Sequence, residues 1–124
     1  MKKILLAVAL IIICACSKDD KVESISTLAG TKWERYSPAL ALLERPYEQL
    51  EFLTDVKGIH YILDENKNVA WQEDFTYAID DGTRIGILYG TVTALEQYRY
   101  KGDKLVYLKD DGTESTKTNP YKRL

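Results

Sequence analysis

From Gly30 onward, apolar and polar residues alternate with a period of two rather than 3.6. In Asp74-Phe75-Thr76-Tyr77-Ala78-Ile79-Asp80 the residues Phe75, Tyr77 and Ile79 share one face, and Val69 and Trp71 extend that parity backward. Ile59-His60-Tyr61-Ile62-Leu63 and Ile85-Gly86-Ile87-Leu88-Tyr89 are short runs of the same kind. Lys104-Leu105-Val106-Tyr107-Leu108-Lys109 is apolar on both faces in its middle, as a strand crossing a core would be. Between these runs stand turn signals: Glu65-Asn66-Lys67-Asn68, Asp80-Asp81-Gly82, Lys101-Gly102-Asp103 and Asp110-Asp111-Gly112. Asp-Gly suits hairpin turns because glycine accepts a positive φ. The pattern predicts eight strands, over 31–36, 48–54, 58–64, 69–79, 84–90, 92–100, 104–109 and 114–122. Regular spacing and short connections predict an all-β fold, a small antiparallel up-and-down barrel.

One stretch breaks the period. Ser37-Pro38-Ala39-Leu40-Ala41-Leu42-Leu43-Glu44-Arg45 offers a capping serine, a proline at the first helical position and good helix formers, stopped by Pro46. It predicts one short helix near 38–45, placed to cover a barrel end; an irregular apolar loop is the competing reading. An eight-stranded barrel encloses room for side chains or one small ligand. Strands this short and this rich in Tyr, Trp and Leu predict a filled interior over a sizeable pocket.

Leu28-Ala29-Gly30-Thr31-Lys32-Trp33 opens the first strand. It resembles the start of lipocalin-like barrels, where a glycine leads into a tryptophan that packs across the barrel floor. Two residues separate Gly30 from Trp33, where that family usually has one. The closer resemblance is to the small lipocalin-like domains of Bacteroides-type lipoproteins, and it implies a barrel over 28–124.

The beginning of the chain reads as an address. Lys2 and Lys3 precede an apolar run from Ile4 to Ala15, too short for the roughly twenty residues of a membrane span but suited to a secretory signal. Ile13-Cys14-Ala15-Cys16 resembles the lipobox of bacterial lipoproteins. The resemblance implies a signal peptide over 1–15, removed together with Cys14, and a diacylglycerol with palmitate-type acyl chains on Cys16, the lipidation site. Cys16-Ser17-Lys18-Asp19-Asp20 resembles the acidic export tract of Bacteroides-type surface lipoproteins. It implies an outer-membrane anchor with the domain exposed at the cell surface; a lipoprotein facing the periplasm is the alternative. Residues 16–27 read as a polar tether.

Removing residues 1–15 takes two of the seventeen Lys and Arg and none of the nineteen Asp and Glu, leaving 109 residues with a net charge of about −4. That length suits one domain. Only Lys117, Lys122 and Arg123 cluster even loosely, so no nucleic-acid partner is expected. Nine tyrosines against two phenylalanines suit small sheets with rings packed and hydroxyls wet. One cysteine remains after processing, so no disulfide framework is expected.

Candidate chemistry is sparse. The single histidine, His60, lies between Ile59 and Tyr61 and is expected to point outward from the sheet. Zinc would want three or four N or S ligands, which the mature chain does not supply. Asp64-Glu65-Asn66-Lys67-Asn68 begins like a calcium loop but has Val69 and Phe75 where Gly and Glu are required, and a hairpin turn explains it better. The carboxylate pairs Asp80-Asp81 and Asp110-Asp111 precede Gly-Thr in turn chemistry, where Asp bonds its own backbone. No catalytic residue, metal ligand or cofactor is therefore expected, and the ligand-binding residues stay open. Its functional expectation is a lipid-anchored, non-catalytic binding module at the cell envelope, with a glycan, peptide or envelope protein as partner. The alternative is a lipocalin-like carrier of a small apolar ligand.

Overall fold

The computed structural model describes residues 24–90 and 95–124. Eight strands close into one antiparallel barrel in which each strand pairs with its sequence neighbours and the last pairs with the first. They are β1 Lys32–Tyr36, β2 Tyr47–Phe52, β3 Lys57–Leu63, β4 Val69–Asp80, β5 Arg84–Tyr89, β6 Leu95–Tyr100, β7 Lys104–Leu108 and β8 Tyr121–Arg123. The up-and-down order puts residues 24–31 and the turns 53–56, 81–83 and 101–103 at one end, here the lower. Connections 37–46, 64–68 and 109–120 lie at the upper end.

Alternation sorts the side chains. Phe75 and Tyr77 face inward, as the parity of β4 requires, and meet Leu50, Phe52, Ile85, Ile87, Tyr98, Leu105 and Tyr121 in one buried cluster. Trp33 is fully buried in the lower half, its Nε1–H donating to Thr31 Oγ1 at 2.8 Å and its ring edge-on to Tyr100. Leu28 closes the core from below, and the chain behind it is pinned where Ile25 N–H donates to the Gly82 carbonyl at 2.9 Å. Asp81 and Gly82 both take left-handed φ, 61° and 74°, the backbone that an Asp-Gly hairpin turn needs. The parity of β4 does not run unbroken to its start. The register against β3 shifts between Ile62 and Leu63, and Val69 and Trp71 emerge about half exposed at the upper rim.

Gly58 marks the tightest approach in the wall. A Cβ there would overlap the Phe75 ring and the Glu51 carbonyl oxygen. Gly58→Ala is expected to lower the urea midpoint by the equivalent of about 1–3 kcal/mol, the usual cost of overpacking a filled core. An unchanged midpoint would mean that the ring has room to retreat.

Two expected elements differ. The helix, α1, spans only Pro38–Ala41; Ser37 Oγ accepts from Leu40 N–H at its start, and Glu44 beyond it takes a left-handed φ of 63°. None of its residues is buried, and Leu42 and Leu43 after it are 85% and 65% exposed, so the segment does not seal the barrel end. A single turn without a packing face has nothing to propagate it. The last strand covers 121–123 rather than 114–122. Extending the pairing of Trp33 with Arg123 and Glu34 with Lys122 would set Pro120 opposite Tyr36, and proline has no N–H to donate. The Asn119 side-chain amide bonds the Tyr36 carbonyl at 2.8 Å instead. Before it the chain makes a turn at 109–113 and a lone bridge between Leu108 and Glu114.

Candidate functional site

The upper half of the interior is polar. Arg35 shares the parity of Trp33, and Glu48 that of Leu50 and Phe52, so the alternation that buries the apolar residues also turns these charges inward, Glu48 buried and Arg35 partly so. Arg35 and Glu48 are cross-strand partners, and Arg35 Nε donates to Glu48 Oε2 at 3.0 Å. His60 sits diagonally across from Glu48, with Nε2 2.9 Å from Oε1; Tyr121 O–H donates to the same oxygen at 3.3 Å. The Arg35 guanidinium lies 4.3 Å over the Tyr121 ring. Next to this trio, Glu96 Oε1 accepts from Tyr89 O–H at 2.9 Å and Tyr98 O–H at 2.8 Å.

Burial would push the Glu48 carboxyl up, but the His60 hydrogen bond and the Arg35 charge outweigh it and hold it down at about 2. Burial works against the Arg35 charge, and the Tyr121, Tyr98 and Glu48 oxygens more than restore it. Burial, reinforced by neighbouring oxygens, raises the Tyr89 and Tyr98 hydroxyls, so they stay protonated as donors. Arg35 and Glu48 therefore stay ionised inside the wall.

A depressed carboxyl contributes stability that is complete above its unfolded value and is lost as pH falls toward its folded one. For Glu48 that window runs from the ordinary 4.5 down to about 2. The urea midpoint is accordingly expected to fall between pH 5 and pH 2.5. Glu48→Gln should remove most of that slope, and an unaltered slope would assign the acid sensitivity to other carboxyls.

His60 is 8% exposed and faces inward, a correction to the expected outward position. Ile59 and Tyr61 take the outer face of β3, the reverse of the usual assumption that isoleucine goes inside. Its Nδ1 makes no hydrogen bond among the described residues, and lies 3.9 Å from Glu73 Oε2. The Trp71 and Tyr89 rings flank the imidazole at 5.8 and 5.0 Å. The tyrosine expectation also needs correcting: Tyr77, Tyr89, Tyr98 and Tyr121 are buried, and Tyr77 O–H bonds the Thr54 carbonyl at 2.6 Å rather than water.

The other sequence candidates fall as turns. Asp64 Oδ1 accepts from the backbone N–H of Asn66 and Asn68 at 2.8 and 2.9 Å, which closes a hairpin. Asp111 Oδ1 accepts from Thr113 N–H and Oγ1–H, which lowers the Asp111 carboxyl. The two Asp-Asp-Gly-Thr stretches are not copies, because Asp81 is left-handed and Asp111 is not. Among the described residues no group of three or more His, Cys, Asp or Glu is placed to hold a metal ion. Cys16, the lipidation candidate, and the signal and tether up to residue 23 lie outside the described residues.

On the outer wall, the short β8 leaves a groove along the seam where the barrel closes. A depression of about 620 Å³ is lined by Glu34, Tyr36, Tyr47, Lys104, Lys122 and neighbours. A second, of about 290 Å³, runs over Ser37, Pro38, Lys117 and Thr118. Both share Arg35, Tyr36 and Asn119. Of the loosely basic trio in the sequence, Lys117 and Lys122 thus join Arg35 and Lys104, which are remote in the chain. Comparison with protein-family models, with curated proteins and with solved structures finds no match to this chain.

Proposed function

We propose that this chain is a lipid-anchored, non-catalytic binding module of the bacterial cell envelope, a surface lipoprotein of the Bacteroides type that recognises its partner on the outer wall of the barrel. The observation that carries this reading is the contrast between interior and seam. Trp33, Phe52, Ile85, Ile87, Tyr98 and Tyr121 fill the barrel with essentially no exposure, while a groove of about 620 Å³ lies outside along β1 and β8. A carrier of apolar molecules would want that space inside. The lipobox ending at Cys16 and the acidic tract after it support the anchor and the surface location. Two or more acyl chains hold a protein stably at a membrane where one does not. Ile25 and Leu28 join the barrel at its lower end, opposite the upper connections.

Native mass spectrometry of the full chain, extracted from envelopes in detergent, tests this. The expected species begins at an acylated Cys16 and retains nothing further. A retained apolar molecule would favour the carrier, and an unmodified Cys16 would overturn the anchor.

A further inference from the structure

The seam groove carries a charge pattern unlike the rest of the molecule. Three exposed lysines line its two depressions, Lys104, Lys117 and Lys122, against one acid, Glu34, while Arg35, which also borders both, is already paired with Glu48 inside the wall. The chain as a whole has more acids than bases, so a positive groove is a local construction. Glu34 does not neutralise it. One of its oxygens accepts from Gln49 Nε2 at 2.8 Å and the other from Lys67 Nζ at 2.7 Å. Lys104 and Lys122 stand directly opposite each other on β7 and β8, both exposed. Like charges in that position repel, and among the described residues neither lysine forms an ion pair.

Where the two depressions meet, the Tyr36 ring is about half exposed, and Ser37, Thr118 and Asn119 surround it with hydroxyl and amide groups. Flat rings beside hydroxyl and amide groups suit a sugar face and its hydroxyls, and lysines suit carboxylates. An acidic peptide would gain most by adding a strand. That route is closed here, because Asn119 already caps the Tyr36 carbonyl and Pro120 offers no N–H. We propose that the groove binds an acidic oligosaccharide, with carboxylates meeting Lys104, Lys117 and Lys122 and a sugar ring resting on Tyr36. This rests on the binding-module reading above and names its ligand class.

Isothermal titration of the detergent-solubilised full chain with trigalacturonate tests it, with maltotriose and triglutamate as comparators. Trigalacturonate should bind, more weakly as salt rises from 0.05 to 0.5 M, and maltotriose should not. The Lys104→Gln/Lys122→Gln pair should lower the affinity about tenfold with an undiminished melting temperature, since both side chains are on the outer face. Tyr36→Ala should weaken binding without changing its salt dependence. Equal binding of maltotriose, or an unchanged affinity in the double variant, would overturn the proposal. Binding of triglutamate with trigalacturonate silent would overturn the saccharide assignment and leave the binding-module reading standing. Silence from all three would overturn the groove proposal, while the mass of the extracted chain still judges the module reading by itself.

Discussion

Trp33→Ala is expected to remove a large share of the stability of the barrel. Trp33 is fully buried, packs edge-on against Tyr100 and closes the lower half of the barrel. Its truncation should cost about 3–5 kcal/mol in lost burial and residual cavity. A domain of this size has roughly 5–15 kcal/mol in total, and the loss should lower the melting temperature by roughly 15–30 °C. Trp33→Phe should recover most of it, falling short by about 1 kcal/mol for the lost bond from Nε1–H to Thr31 Oγ1. Urea unfolding followed by circular dichroism reads both variants. A loss under about 1 kcal/mol for the alanine variant would mean that the floor of the barrel collapses to fill the space.

The second large effect belongs to Glu48. Glu48→Ala at neutral pH leaves the Arg35 guanidinium inside the wall without its counter-charge and takes the partner from His60 Nε2. Breaking a buried pair from one side costs about 3–5 kcal/mol. The companion variant Arg35→Met/Glu48→Leu removes both charges and should recover the cost of the stranded guanidinium, leaving about 1–3 kcal/mol for the partner that His60 Nε2 and Tyr121 O–H also lose. The discriminating quantity is the difference between the two variants in urea. Equal destabilisation would mean that the trio is needed as a packed shape, and not as a charge pair.

The barrel was legible because a two-residue period with Asp-Gly turns leaves few alternatives. Seven of the eight strands lie where alternation puts them, residues 92–94 of the sixth falling outside the described set. The eighth escaped because a polar run reads equally as strand or loop; Pro120 was the available signal, since it cannot donate to β1. The interior charges escaped for a related reason. Arg35 and Glu48 carry the parity of buried neighbours, and a strict reading of parity would have placed both inside. The habit of sending charge outward hid them. His60 is the same lesson reversed, with Ile59 and Tyr61 turned out by the register of β3 against β4. The seam groove had no local signature, because it joins residues 34–39, 104 and 117–124 only when the barrel closes.

Backbone amide shifts of the full chain in detergent, recorded with trigalacturonate and separately with palmitate, test most directly whether recognition lies on the wall of a filled barrel. Trigalacturonate is expected to move Tyr36, Lys104, Asn119 and Lys122, and palmitate to leave Phe75, Ile87 and Tyr98 where they were. Palmitate-driven shifts at those core residues, with the seam unmoved by the saccharide, would contradict it.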